Sequence, residues 1–546
     1  KQHWVRKIER LEKKIQALHL LNKRFSLIRM VIFGVGAVAT WIIGALQDND
    51  AGWLAFGIAS IIFLVVVLLH RNLDNWIRRF EHWQQLYLLQ LARSQLDWES
   101  IPYRSLPEQR VRSSLETDLD LTGVRSLHHL IDHSISDHGS RLLADWLTHP
   151  QPDIEQIVRK QNWVKELAAF PYFGMRFHLV FSLASKERIR GDQIVSWLNV
   201  PFESNRLRWS LPVAGFLTLL NLGLFIANAV SDFPAFWILT AVLYLVYYNF
   251  TGRENAEILD QVAILDVELG KLGPVLKYLE KANYQKMPAL HDLCLSFTQP
   301  GGEPSAELRR LKWVTAAVGL RMNPIMGFLL NIFLPWDYFW ANMAIRFRQR
   351  LKVRLPVWLD KLYKLEALLS LADFSRSQPG SSFPIISPVS PTFLEVEQIA
   401  HPLLLADTRV ANDFCLAQVG EAALITGSNM AGKSTFIKTI GINLCLAYAG
   451  SAVLAKYWRS LPLRLHSCIR ISDSISDGFS YFYAEVKCLS GLLRKLEQDA
   501  SEGDDYYPVL CLIDEIFRGT NNRERLIGSR AYLQAAIRGN GAGLVA

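Results

Sequence analysis

Cysteine is sparse in this chain: six residues in 546, and none in a Cys-x-x-Cys pair. Cys294, Cys415, Cys445, Cys468, Cys488 and Cys511 show no metal-ligand spacing. That excludes a zinc-ribbon or disulfide-framework class and points to a reducing compartment. Charge is also low, at 20% against 50% apolar residues, so a disordered chain is excluded. The net charge of +8 suggests either nucleic acid or an anionic membrane surface as partner. Its placement is uneven. Residues 1–29 hold nine basic and two acidic side chains, a net +7, and the rest of the chain is nearly balanced.

Long apolar runs are what the chain has in excess. Residues 30–46 (MVIFGVGAVATWIIGAL) and 51–69 (AGWLAFGIASIIFLVVVLL) are separated only by QDND. A helix of nineteen residues spans about 28 Å, close to the hydrocarbon thickness of a bilayer. The pair reads as a transmembrane hairpin over 30–70, after a basic cytoplasmic helix over 1–29. Arg71, Arg78 and Arg79 follow it, so both ends are placed on the cytoplasmic side. The basic N-terminal segment suits lipid headgroups as well as it suits DNA. Runs at 209–230 and 233–250 form a second hairpin over 209–250, flanked by Arg206, Arg208 and Arg253. A shorter run at 325–339 contains Asn331, Pro335 and Asp337. It reads as a buried or interfacial helix, because an odd number of spans would put the chain ends on opposite sides. The expected location is the inner or plasma membrane, multi-pass.

Between the hairpins, 100–200 is soluble and helical. Residues 254–374 carry long helical periodicity, which Gly270 and Gly273-Pro274 are expected to break locally. Within them FRQRLKVR (347–354) reads as a solvated basic face. Residues 375–391, rich in Ser, Pro and Gly, read as a linker. From 392 to 546 short apolar strands alternate with glycine loops, the texture of an α/β domain. The fold class is therefore multidomain: an α-helical core and lever region with transmembrane helical hairpins, then a C-terminal α/β P-loop domain.

The chemistry lies in that last domain. The strand EAALI (421–425) runs into Gly427, Ser428, Asn429, Met430, Ala431, Gly432, Lys433 and Ser434, and Thr435 continues a helix. This is G-x-x-x-x-G-K-[ST] in its strand–loop–helix context. Backbone N–H groups of such a loop cradle phosphate oxygens at a helix N-terminus. Lys433 reaches the β- and γ-phosphates, and Ser434 ligates Mg²⁺. A second apolar strand, PVLCLI (508–513), ends in Asp514 and Glu515. Asp514 fits the Mg²⁺ carboxylate and Glu515 the base that polarises the attacking water. The expected activity is hydrolysis of ATP.

The stretch from Thr426 to Thr435 resembles the phosphate loop of the MutS mismatch-repair ATPases, with Asn429 and Met430 the most telling residues. DEIFRGT (514–520) resembles their second nucleotide motif, and SYFYAE (480–485) resembles their signature segment. The resemblance implies a homodimer in which Ser480 approaches the partner's γ-phosphate in trans. His401, Pro402 and Leu403, with Val410, Ala411 and Asn412, resemble the segments around the nucleotide base. Arg409 then stands where an aromatic is usual: a guanidinium can stack on adenine beside Val410, or the residue is a surface charge. LTGVRSL (121–127) and SDHGSRLL (136–143) resemble the start of the family's core helical domain. The resemblance thus implies a membrane-anchored MutS-like ATPase with its nucleotide domain in the cytoplasm, using ATP and Mg²⁺. Its composite dimer site would drive a clamp-like change on DNA.

The chain departs from that family in four ways. No segment resembles the mismatch-reading domain; Phe393-Leu-Glu395 matches its wedge only literally, on a strand. The second hairpin interrupts the core helices. Arg409 replaces the aromatic. The sequence ends at Gly543–Ala546, before the family's Thr-His pair, so the ATPase domain over 392–546 reads as C-terminally truncated. Two alternatives share the same motifs. An ABC-type transport ATPase would carry Leu-Ser-Gly-Gly-Gln, which this sequence lacks. A nucleotide-switched membrane scaffold would need no DNA.

Overall fold

Helix α1 (Gln2–Leu46) carries the basic segment and the first apolar run without a break, and α2 (Asn49–Ser94) returns antiparallel to it. The computed structural model describes residues 2–46, 49–106, 113–199, 204–231, 233–299, 302–428, 431–470, 485–494, 507–517, 521–538 and 541–545. At 1.5 Å per residue, helices of 45 and 46 residues reach about 68 Å, over twice a bilayer's hydrocarbon thickness. Residues 2–29 are therefore not a separate element, as the charge step at Met30 suggested, but the first part of one rod. The apolar halves are bare: Trp41 is 75% exposed and Leu46 79%. They pack against each other. A Cβ on Gly52 would lie 2.9 Å from the Cα of Gly44, so the tip needs glycine to let two backbones meet. Lower down, His70 Nε2 meets Asn22 Oδ1 at 2.6 Å, and His19 pairs with Glu81 at 3.1 Å.

The second hairpin differs from its sequence reading. Among the described residues, three helices are long and apolar enough to cross a membrane: α1, α2 and α9 (Ser204–Val230). The run expected at 233–250 enters a helix only at Trp237, where α10 (Trp237–Lys281) begins. Fourteen residues to Phe250 reach about 21 Å, short of a full span. Helix α10 then continues into the protein interior through Gly270 and Pro274. The expected local break is absent because Leu269, Leu272, Val275, Leu276 and Leu279 are all buried along it. That packing holds the turn in which Pro274 cannot donate a hydrogen bond.

The run at 325–339 is two helices. Helices α12 (Pro304–Arg321) and α13 (Pro324–Phe333) meet at 111°, and α14 (Trp336–Ser377) follows. Ile325 and Phe328 on α13 are 72% and 61% exposed, so this run is not a buried helix. An interfacial position remains compatible with that outward face. At its base Asp337 is fully buried, paired with Arg321 Nε at 3.0 Å and accepting from the Tyr248 hydroxyl at 2.8 Å.

The helical region interleaves chain from both sides of α9. Helices α4 (Leu127–Ile131), α5 (Asp137–Thr148), α6 (Ile154–Ala169), α7 (Pro171–Ala184) and α8 (Gly191–Asn199) pack around α10, α11 (Pro288–Thr298) and α14, whereas α3 (Ser114–Asp118) lies against the C-terminal domain. Leu355, Leu359, Leu362, Leu365 and Leu369 line the buried side of α14 at helical spacing. Their hydrophobic cluster continues into the C-terminal domain. The 375–391 segment is correspondingly no loose tether. Helix α14 runs to Ser377, Ser382 exchanges backbone hydrogen bonds with Val453 at 3.0 and 2.8 Å, and β1 (Ile385–Ile386) joins a sheet.

Two four-stranded sheets build the C-terminal domain. The first, in order β1-β5-β2-β3, combines β1, β2 (Leu394–Ile399), β3 (Asn412–Leu416) and β5 (Tyr457–Ser460); only its β1–β5 pair is parallel. The second is wholly parallel, in order β4-β8-β7-β6: β4 (Ala422–Leu424), β8 (Gly541–Val545), β7 (Val509–Ile513) and β6 (Arg464–Cys468). All five residues of β7 are buried, as a parallel strand covered on both faces requires. Helices α15 (Lys433–Tyr448), α16 (485–494) and α17 (Asn522–Arg538) complete the domain.

Candidate nucleotide-binding site

The parallel sheet sets the geometry. The loop after β4 and the Asp514–Glu515 turn after β7 leave the same, carboxyl edge, with β8 alone between their strands. Two strand spacings of about 4.8 Å put those strand axes about 10 Å apart. Ligands of open α/β sheets sit at this edge.

The phosphate loop feeds α15 through Gly432, which stands at φ +88°. A side chain there would be strained. Among the described residues no side chain caps α15, and its first turn holds no acidic residue, which leaves its leading N–H groups open to an anion. Gly427, Ser428, Ala431, Gly432, Ser434 and Thr435 are all exposed. Lys433 Nζ donates to the Gly427 carbonyl at 2.7 Å, which holds the ammonium across the loop. Asn429 and Met430 lie outside the described residues, as does Ser480. The root of α15 is rigid: Ile437, Ile440 and Leu444 are buried, and Asn443 bridges Ala400 O at 3.1 Å and Leu454 N at 2.7 Å.

Asp514 and Glu515 are half-buried. The Asp514 N–H donates to Cys468 O at 3.1 Å, continuing the β6–β7 ladder to the last residue. Glu515 has φ +52° and Phe517 φ +53°, left-handed conformations that cost about 1 kcal/mol or more each for non-glycine residues. Arg525 Nε holds the strained turn at Ile516 O, 3.0 Å away, and the Phe517 ring packs edge-on against Tyr532. The hydroxyl of Ser434 and the carboxylate of Asp514 offer the oxygen donors that a hard cation such as Mg²⁺ takes.

Other sequence-derived residues sit as follows. Arg409 is held by the 375–391 segment, with Nη1 donating to Gln378 Oε1 at 3.2 Å and Nη2 to Pro379 O at 3.4 Å. In this conformation its guanidinium is engaged there rather than standing open for a base, and Val410 beside it is 75% exposed. His401 Nδ1 accepts the Leu403 N–H at 3.2 Å. Burial, then the nearby Lys438 ammonium, push the His401 imidazole down to about 4, so it is neutral at physiological pH.

A group of residues unremarkable in the sequence ties this domain to the helical region. Buried Asp118 accepts from Ser467 Oγ at 2.7 Å, Arg470 N at 2.8 Å and Ile469 N at 3.2 Å. Asp120 accepts from Lys438 Nζ on α15 at 3.1 Å and from Arg470 Nη1 at 2.7 Å. A Cβ on Gly441 would lie 2.7 Å from Leu512 Cδ1 and 2.8 Å from Leu119 Cδ2, so α15 is wedged between β7 and the 113–132 segment. The only signal in the sequence was the alternation of acids in ETDLDL (116–121).

Residues 423–542 match the family model of MutS domain V. The chain is 32% identical to DNA mismatch repair protein Msh6 of Gallus gallus over 175 residues, 29% of this chain and 12% of that protein. It is 31% identical to the probable DNA mismatch repair protein Msh6 of Drosophila melanogaster over 186 residues, 33% of this chain and 15% of the relative. It is also 31% identical to MutS protein homolog 4 of Mus musculus over 171 residues, 30% and 17% respectively. The matched part thus spans less than a fifth of each of these curated relatives. For the C-terminal region the matches support kinship with the MutS family.

Proposed function

We propose that this protein is a membrane-anchored MutS-like ATPase that binds and hydrolyses MgATP at a site completed by a second copy. One observation carries the reading: an uncapped phosphate loop and a strained Asp-Glu turn stand at the same sheet edge, one strand apart. Backbone N–H groups of 427–433 bind the phosphate chain, and Lys433 exchanges the Gly427 carbonyl for β- and γ-phosphate oxygens. Ser434 and Asp514 would hold Mg²⁺, which would supply charge neutralisation at the phosphates. Glu515 orients the attacking water and takes its proton. Ser480 of the partner subunit closes the site over the γ-phosphate.

Asp118 and Asp120 then pass the nucleotide state from α15 to the helical region. Helices α2, α10 and α14 extend that region toward the apolar hairpins. The bare, mutually packed faces of α1 and α2 support a bilayer as their surroundings, with the nucleotide domain on the cytoplasmic side. Resistance of the protein to alkaline extraction from membranes tests the anchor. ATP-dependent dimerisation, followed by sedimentation of the detergent-solubilised chain with ATP, ADP or neither, tests the composite site. An unchanged monomer in all three conditions overturns it.

The names of two relatives extend the reading to DNA. The basic N-terminus does not add to that case, because its charge continues directly into an apolar run. Titration with matched and mismatched duplex across salt concentrations decides the matter. No binding at low salt removes DNA and leaves a nucleotide-switched membrane scaffold.

A further inference from the structure

A second cavity, of about 440 Å³, lies in the helical region and shares no residue with the phosphate loop. Helices α2 and α7 and the chain after α4 enclose it. Its charge is lopsided: Arg93, Arg104, Lys186 and Arg188 line it against one carboxylate, Asp132. That carboxylate is already saturated, taking Arg188 Nη2, Ser140 Oγ at 2.7 Å and the Ser134 N–H at 2.9 Å. Arg93 gets from residue 132 only its backbone carbonyl, at 2.7 Å from Nη2.

The walls carry an unusual set of unused polar atoms. Arg93 Nε and Nη1, Ser134 Oγ, His178 Nε2 and Arg188 Nε are buried without a hydrogen-bond partner. Arg93, Ser134 and His178 are more than nine-tenths buried. Each unsatisfied buried donor costs about 1–3 kcal/mol, and more when charged. Burial draws the Arg93 guanidinium down to about 10, which still leaves it charged at neutral pH. Native structures rarely keep several such groups together unless ordered water, an ion or a ligand satisfies them, and guanidiniums lining a roomy cavity favour an anionic ligand.

We propose that this cavity binds a soluble phosphate-bearing small molecule, gripped at its phosphate by Arg93, Arg188 and Ser134, with Lys186 and Arg104 at the rim. A guanidinium presents paired N–H donors in the geometry of phosphate oxygens. The volume falls in the range of small-molecule sites, above what a bare ion needs. A metal ion suits the cavity less well. His133, His178 and Asp373 do lie close enough to share one. Yet Asp373 already engages His133 at 2.9 Å, Gln90 at 3.1 Å and Arg376 at 2.9 Å, and a cation there would face Arg93. A lipid headgroup is disfavoured by distance, a point that rests on the membrane reading above. Arg93 lies 24 residues beyond Leu69, about 36 Å along α2 from the apolar run. Because α2 is both a hairpin helix and a cavity wall, the ligand would clamp the hairpin's stalk to α4 and α7.

The test uses the full chain in detergent with Lys433→Ala, so that the phosphate loop does not compete. Inorganic pyrophosphate is titrated by calorimetry into this protein and into versions adding Lys186→Glu, Arg104→Glu or Arg93→Gln. The two rim substitutions are at exposed positions and guard against misfolding of the buried one. One-to-one binding that weakens at least tenfold with either rim change supports the proposal. Binding that is absent, or indifferent to all three changes, overturns it. So does Zn²⁺ binding that is lost with His133→Ala while pyrophosphate does not bind. Binding only to vesicles containing phosphatidic acid, and not to pyrophosphate, overturns the soluble source. None of these outcomes bears on ATP hydrolysis by the unmodified chain, so the two readings fail separately.

Discussion

Asp120 and Lys438 meet at 3.1 Å across 318 positions of sequence, and the pair joins the helical region to the phosphate-loop helix. Asp120 also holds Arg470, so one carboxylate spans α15 and the segment that follows β6. Asp120→Ala should cost only about 1 kcal/mol of stability, since its side chain is 36% exposed and solvent screens the pairs. Its larger effect should be on coupling. Hydrogen exchange across 113–132 should respond to ATP in the parent and lose that response in the variant, with ATP turnover retained. An unchanged response would remove Asp120 from the transmission path.

Glu515→Gln should separate binding from chemistry. The amide keeps the size of the side chain and the left-handed turn but cannot accept a proton. Turnover should fall about 10²–10⁴-fold, the usual worth of a general base. ATP affinity should stay within a few-fold of the parent, as read by equilibrium binding of a fluorescent nucleotide. Comparable losses of affinity and turnover would assign Glu515 a structural role.

Glu366 gives a prediction in pH. It is wholly buried on α14, and burial raises its carboxyl from 4.5 to about 8, although Ser136 Oγ and N–H both donate to it. Between pH 4.5 and 8 the folded chain keeps a proton that the unfolded chain has lost. This contribution to stability is therefore full at low pH and disappears as pH rises through about 8. Glu366→Gln is neutral at every pH. Its thermal midpoint should exceed the parent's more at pH 8.5 than at pH 5; an equal difference at both values would contradict the assignment.

The loop and the acidic turn of the candidate site were legible in the sequence because they are local. Gly427 to Ser434 and Asp514–Glu515 carry their own strand and turn signals, and the sheet needed only to set them side by side. The docking of Asp118 and Asp120 was not legible, because their partners lie about 350 positions away. Nor was the continuity of α1 and α10. Composition changes sharply at Met30 and near Thr251, but a helix satisfies its backbone hydrogen bonds internally whatever its side chains and need not break there. Pro274 misled for a related reason: packing on both sides of it outweighs the one missing N–H. Segment 375–391 looked like a tether because Ser, Pro and Gly dominate it, whereas its partner strand β5 lies some 70 residues on.

The most direct test of the ATPase reading is the steady-state rate of ATP hydrolysis by the full chain in lipid nanodiscs, with and without Lys433→Ala. Lys433 is the one side chain bridging the phosphate loop, at 2.7 Å from Gly427 O among the described residues. The account predicts Mg²⁺-dependent turnover by the parent, and loss of both turnover and ATP binding in the variant. ATP binding and turnover that persist unchanged in Lys433→Ala would contradict it.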